Sequence, residues 1–262
     1  MQSLFSLTAG ACVRWHDLPG QGIPIVFVHG LGCASSYEYP RIVADPAFGG
    51  RRAILIDLPG YGFSDKPRDY DYSIAHQAEV VIEVVNALKL QHCHIYGHSM
   101  GGSIAIEVAE RLRERVGKLV VSEPNFHAGG GMYSRLLVEK PEAEFISQEY
   151  DKMLANQTSP WKGSAQNAAP WAMWRGAKSL IDGVSPSWLE TFLNLSCSRT
   201  LIFGEQSLPD SDFRYVSQKG ISVATVPQAG HSMSWENPSA LAVVLHKEFS
   251  QENLRLNTDT VR

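Results

Sequence analysis

Cysteine is scarce in this sequence, with four among 262 residues. Cys12, Cys33, Cys93 and Cys197 lie far apart and form neither a C-x-x-C pair nor a Cys/His ligand spacing, so the common zinc and dithiol redox motifs are missing and no metal is expected. They read as four buried free thiols in a chain long enough to need no disulfide staples. No segment approaches the roughly 18 consecutive apolar residues of a membrane-spanning helix. The opening Met1-Gln2-Ser3-Leu4-Phe5 lacks the basic start and the sustained apolar stretch of a secretory leader, which makes the cytoplasm the expected location. Lys and Arg number 23 against 27 Asp and Glu, a net charge of −4, and the cations are scattered rather than clustered. That pattern argues against nucleic acid or an anionic membrane surface as a partner and leaves a small molecule as the expected one. There is no internal repeat, no low-complexity tract and no signal for an oligomeric state.

What is present is the composition of a globular protein, 44% hydrophobic and 19% charged, at a length that one core can serve. Apolar runs without alternation, Ile25-Val26-Phe27-Val28, Ala53-Ile54-Leu55-Ile56, His94-Ile95-Tyr96, Leu119-Val120-Val121-Ser122 and Leu201-Ile202-Phe203, suit strands covered on both faces. Between them Ser73 is placed to cap a helix through Ile74, Ala78, Val81, Ile82, Val85 and Leu88, and Ser103 to Leu112 repeats the same period. Strands alternating with helices predict a mostly parallel, doubly covered α/β sheet. Segments around Leu4–Thr8 and Ala11–His16 predict an antiparallel edge hairpin. From about Asn125 to Leu195 buried runs vanish, helix-compatible stretches take over, and Trp161, Trp171, Trp174 and Trp188 cluster. Two units are therefore expected, a core of residues 1–124 and 196–262 and a helical cap of residues 125–195. The tryptophans serve either to pack that cap or to line a pocket. Gly129-Gly130-Gly131 is a hinge candidate.

Chemistry concentrates at Gly97-His98-Ser99-Met100-Gly101, a G-x-S-x-G pattern directly after a buried strand and directly before a helix. A sharp strand-to-helix turn exposes a hydroxyl that is otherwise a poor nucleophile, and glycines on either side allow the close packing that such a turn requires. The Met100 amide at the helix start can face an oxyanion. The other reading of this turn is a serine that merely caps the helix. His29-Gly30-Leu31-Gly32 follows the third predicted strand and Asp57-Leu58-Pro59-Gly60-Tyr61-Gly62-Phe63-Ser64-Asp65-Lys66-Pro67 the fourth. With these motifs the chain resembles the α/β-hydrolase superfamily over its whole length apart from the variable cap. The resemblance implies an eight-stranded sheet, a second oxyanion donor in the Leu31 amide, and a His29 that braces its loop. Dehalogenases and epoxide hydrolases of that family place Asp at the elbow, whereas a serine with two backbone donors suits attack on a carbonyl.

The family order is Ser, acid, His. His231 fits the last place, in Gln228-Ala229-Gly230-His231-Ser232 between a predicted strand at Ser222-Val223-Ala224-Thr225-Val226 and a helix from near Pro238. The acid departs from the pattern: after Leu201-Ile202-Phe203 the family has Gly-x-x-Asp, and here Gly204-Glu205-Gln206 leads to Ser207. Some relatives, among them haloalkane dehalogenases, carry the acid one strand earlier, where this chain has Glu123. Glu123 also ends an apolar strand, at the sheet edge where the histidine loop would lie. Asp210, with Asp212 behind it, is the alternative, and Glu205 reads as structural. The expectation is a serine hydrolase without cofactor that cleaves a small carboxylic ester or lactone through an acyl-enzyme. Carbon–carbon bond hydrolysis stays open, because such relatives share the Ser-Met-Gly-Gly elbow, although they show Asn where His98 stands. A ligand-binding protein with little turnover is the reading from another class.

Overall fold

The computed structural model describes residues 1–250; residues 251–262, part of the expected core unit, lie outside the described residues. Eight strands form one sheet: β1 (Gln2–Ser6), β2 (Ala11–Leu18), β3 (Gln21–Val28), β4 (Arg51–Asp57), β5 (Cys93–His98), β6 (Val116–Ser122), β7 (Ser198–Gly204) and β8 (Ser222–Val226). Their spatial order is β1-β2-β4-β3-β5-β6-β7-β8, and only β2 runs against the rest. The continuous apolar runs are explained by two-sided burial. In β3, Val26 and Val28 enter one core together with Ile54 and Ile56 of β4, while Ile25 and Phe27 enter the other with Ala53 and Leu55. Each of the four β3 residues is fully buried, worth about 1.5–3 kcal/mol per side chain relative to exposure.

Helices Ile74–Ala87 and Met100–Leu112 cover the first face, and Pro238–Ser250 covers the second. The Ser73 hydroxyl accepts from the His76 amide at 3.2 Å, the capping bond its position predicts. Between β6 and β7 the described chain is helical, and its longest helix is Pro170–Asp182. Of the four tryptophans there, Trp188 is buried and donates to Glu107 at 2.9 Å, Trp171 donates to the Tyr72 hydroxyl and Trp174 to the Lys140 carbonyl. These three pack the insertion, and Trp161 alone among them lines the large cavity described below. Cysteine burial also differs from expectation: Cys33 and Cys93 are buried, whereas Cys12, at the start of β2, and Cys197, just before β7, are only partly so. Among the described residues no helix is long and apolar enough to cross a membrane, and no cluster of three or more His, Cys, Asp or Glu side chains could hold a metal.

Candidate active site

Ser99 sits between β5 and helix Met100–Leu112 with φ 53° and ψ −122°, a conformation costly for a residue with a Cβ. The turn is sustained by bonds and by close packing. The Ser99 amide donates to the Ser122 carbonyl at 2.9 Å, and the Gly102 amide donates back to the Ser99 carbonyl at 2.8 Å. A Cβ at Gly101 would stand 2.3 Å from the Val28 oxygen, and one at Gly97 would stand 2.3 Å from the Gly101 oxygen. Only glycine fits either place. Across the turn, Gly30 packs so close that a Cβ on it would lie 3.4 Å from the Ser99 Cβ, which brings the loop carrying Leu31 beside the hydroxyl. Trp161 Nε1 donates to the Leu31 carbonyl at 2.9 Å and so ties this loop to the insertion. Buried His29 accepts from the Leu58 amide at Nε2, 3.1 Å, and donates from Nδ1 to the Gly30 carbonyl, 2.8 Å. Burial holds its pKa below the ordinary value, so the ring is a neutral brace.

His231 lies in the loop after β8, and its Nδ1 donates to Glu123 Oε2 at 2.7 Å. Glu123 follows β6 at φ 40°. Its amide donates to the Ile202 carbonyl at 3.0 Å, and its Oε1 accepts from the Gly204 amide at 2.9 Å, so the carboxylate is clamped to the end of β7 while it grips the histidine. Burial pushes the Glu123 carboxyl up, but the His231 hydrogen bond and charge, the Gly204 amide and the Ser207 hydroxyl outweigh it and hold the group below its ordinary value. Ser207 is the residue standing where Gly-x-x-Asp would supply the acid. Asp210 does not reach the histidine: it caps helix Ser211–Gln218, accepting from the Phe213 amide at 2.8 Å, and Asp212 pairs with His127 at 3.0 Å. Helix formation right after the β7 loop claims Asp210 for the cap. Glu205 holds the Gln228 amide at 2.8 Å, a structural role.

Ser99, Glu123 and His231 line one cavity of about 440 Å³ with Gly30 and Leu31. No hydrogen bond joins the Ser99 hydroxyl to the imidazole among the described residues, although both line the same cavity. His98 packs against His231 with ring centroids 4.8 Å apart, and its Nδ1 meets the Ser122 hydroxyl at 2.9 Å. Burial, then the neighbouring His231 charge, push the His98 pKa down to about 3, so His98 stays neutral beside its partner.

A family model described as the alpha/beta hydrolase fold matches residues 23–132, the stretch holding Leu31, Ser99 and Glu123. Across 96% of this chain and 99% of the other, the structure superposes on a thermophilic esterase from Thermogutta terrifontis with a TM-score of 0.77 at 18% identity. The chain has the α/β-hydrolase fold. The enol-lactonase from Burkholderia xenovorans LB400 gives a TM-score of 0.76 at 15% identity over 95% of this chain and all of that one. In sequence, 115 residues are 38% identical to 2-hydroxymuconate semialdehyde hydrolase from Pseudomonas putida, covering 44% of this chain and 41% of that protein. The chain thus matches less than half the length of this curated relative.

Four contributors escape a reading by sequence motif. Glu38, at the end of the short helix Ser35–Glu38, is buried in the cavity wall, with Oε1 accepting from the Ser234 hydroxyl at 2.5 Å and Oε2 without a hydrogen-bond partner. Burial pushes its pKa up, against opposing pulls from Ser234, Cys33 and His231. Trp235 lines the cavity just past the histidine, and Glu236 Oε2 holds the Gly230 amide at 2.7 Å. Ser207 is the fourth. The absent Gly-x-x-Asp is the one sequence signal that could have drawn attention to it.

Proposed function

We propose that this chain is a serine hydrolase of small carboxylic esters or lactones. The carrying observation is the Glu123–His231 pair facing the Ser99 cavity. With Nδ1 committed to Glu123, the imidazole presents a bare Nε2 toward the cavity, the tautomer a general base requires. Ser99 Oγ attacks the carbonyl carbon as its proton passes to His231 Nε2, and the Leu31 and Met100 amides receive the oxyanion. His231 then protonates the departing alkoxide, which leaves Ser99 acylated. Water, deprotonated by the same nitrogen, attacks the acyl carbon and releases the acid, returning the proton to Ser99. Residues 125–195 act as the cap, since Tyr133 and Trp161 from that stretch wall the cavity.

Carbon–carbon bond hydrolysis is the second reading, favoured by the 38% identical relative and by the Ser99-Met100-Gly101-Gly102 elbow. Charge weighs against it. A dienoate substrate brings a carboxylate, and no Lys or Arg is among the residues lining the cavity, whereas Glu38, Glu123, Asp210 and Asp212 are. Two measurements test the proposal. A fluorophosphonate should label wild type and not Ser99→Ala, and p-nitrophenyl acetate should be hydrolysed far faster than a dienoate ketone. Labelling with the opposite preference would move the assignment to carbon–carbon cleavage, and ligand binding without labelling would make the chain a binding protein.

A further inference from the structure

The cavity wall combines two chemistries that the hydrolytic steps do not use. Asp210 and Asp212 each engage one oxygen, Oδ1, with the Phe213 amide and with His127 respectively, and Oδ2 of each is left without a protein hydrogen bond among the described residues. No Lys or Arg is among the lining residues, and the nearby Arg41 guanidinium is stacked on Trp235. The aromatic rings of Tyr133, Trp161 and Trp235 share this wall. Tyr133 and Trp161 form a tilted pair with centroids 5.7 Å apart, whereas the Trp235 ring is engaged by the Arg41 guanidinium 4.1 Å above one face and by Tyr37 at 5.1 Å.

Resting on the hydrolase reading, we infer that the preferred substrates are esters with an ammonium group on one arm, drawn in by the Asp210 and Asp212 carboxyls and seated against the Tyr133 and Trp161 rings. A low-dielectric cleft lined by one sign of charge focuses its field on the opposite sign. Aromatic faces stabilise a weakly hydrated quaternary ammonium at little desolvation cost, a combination that an acidic cluster or an aromatic patch alone does not provide. A primary ammonium would gain more from the carboxyls and a quaternary one more from the rings.

Isosteric pairs test this directly. Acetylcholine is compared with dimethylbutyl acetate, its carbon isostere, for a charge on the alcohol arm, and betaine methyl ester with methyl tert-butylacetate for a charge on the acyl arm, each rate normalised to hydroxide-catalysed hydrolysis. At low salt kcat/KM should favour the cation by about tenfold in at least one pair. The ratio should contract toward one between about 10 mM and about 500 mM sodium chloride, since partly exposed charges are screened. In the double variant Asp210→Asn/Asp212→Asn, where Asn still caps the helix, the low-salt ratio should fall by about fivefold. Neutral isosteres hydrolysed as well as the cations in both pairs, or a cation preference indifferent to both salt and the double variant, would overturn the inference while leaving the hydrolase intact. Absence of turnover on every ester together with no fluorophosphonate label would instead sink the hydrolase reading, and this inference with it.

Discussion

At residue 123 the backbone enters the left-handed region, a strained place for a glutamate, and the strain aims one carboxylate oxygen at His231 and the other at the Gly204 amide. Glu123→Gln should keep the fold and lower kcat on p-nitrophenyl acetate by about 10³–10⁴-fold, because the amide no longer fixes the imidazole tautomer or offsets its charge. Ser207→Asp in that background should restore activity at least tenfold over Glu123→Gln alone, since position 207 already reaches the same carboxylate site. His98 gives a pH prediction. With a folded pKa lowered from 6.5 to about 3, it binds fewer protons folded than unfolded between those values. Its contribution is therefore complete above about pH 6.5 and drains as pH falls toward about 3. The Tm of His98→Gln should drop less than that of wild type between pH 6.5 and 4. That Ser99 and His231 would meet at one cavity was foreseeable from their spacing around strand ends. Glu38 was not, because burial of an acid at a helix end depends on what packs over it, here Ser234 from nearly two hundred positions away.

The strands and the elbow helix were readable as elements, since apolar runs too continuous for a one-sided sheet match strands buried on both faces. Their glycine boundaries carry a sharper claim. Gly101→Ala forces a methyl group against the Val28 and His29 carbonyl oxygens and should cost ~3 kcal/mol, about 5–10 °C in Tm by calorimetry. Trp161→Phe keeps the apolar bulk of the insertion and deletes the bond to the Leu31 carbonyl, so kcat should fall by about tenfold with Tm nearly unchanged. The helical insertion was legible as a region, but the duties of its tryptophans were not. Spacing could not separate Trp161, which faces the cavity, from Trp188, which is spoken for by Glu107.

Across the whole molecule, Leu31 follows β3, Ser99 β5, Glu123 β6 and His231 β8, and the spatial order of the strands gathers these chain-distant residues around one cavity. Topology of this kind follows from the right-handed crossover preference of parallel sheets rather than from any local motif. Only the family resemblance made it foreseeable. The imidazole is also the last of these groups in the chain, and its partner is clamped to a strand that must already be in place. On the proposed reading, a polypeptide still emerging from the ribosome has no imidazole to set beside Ser99, so hydrolysis waits until β8 has joined and the sheet is finished.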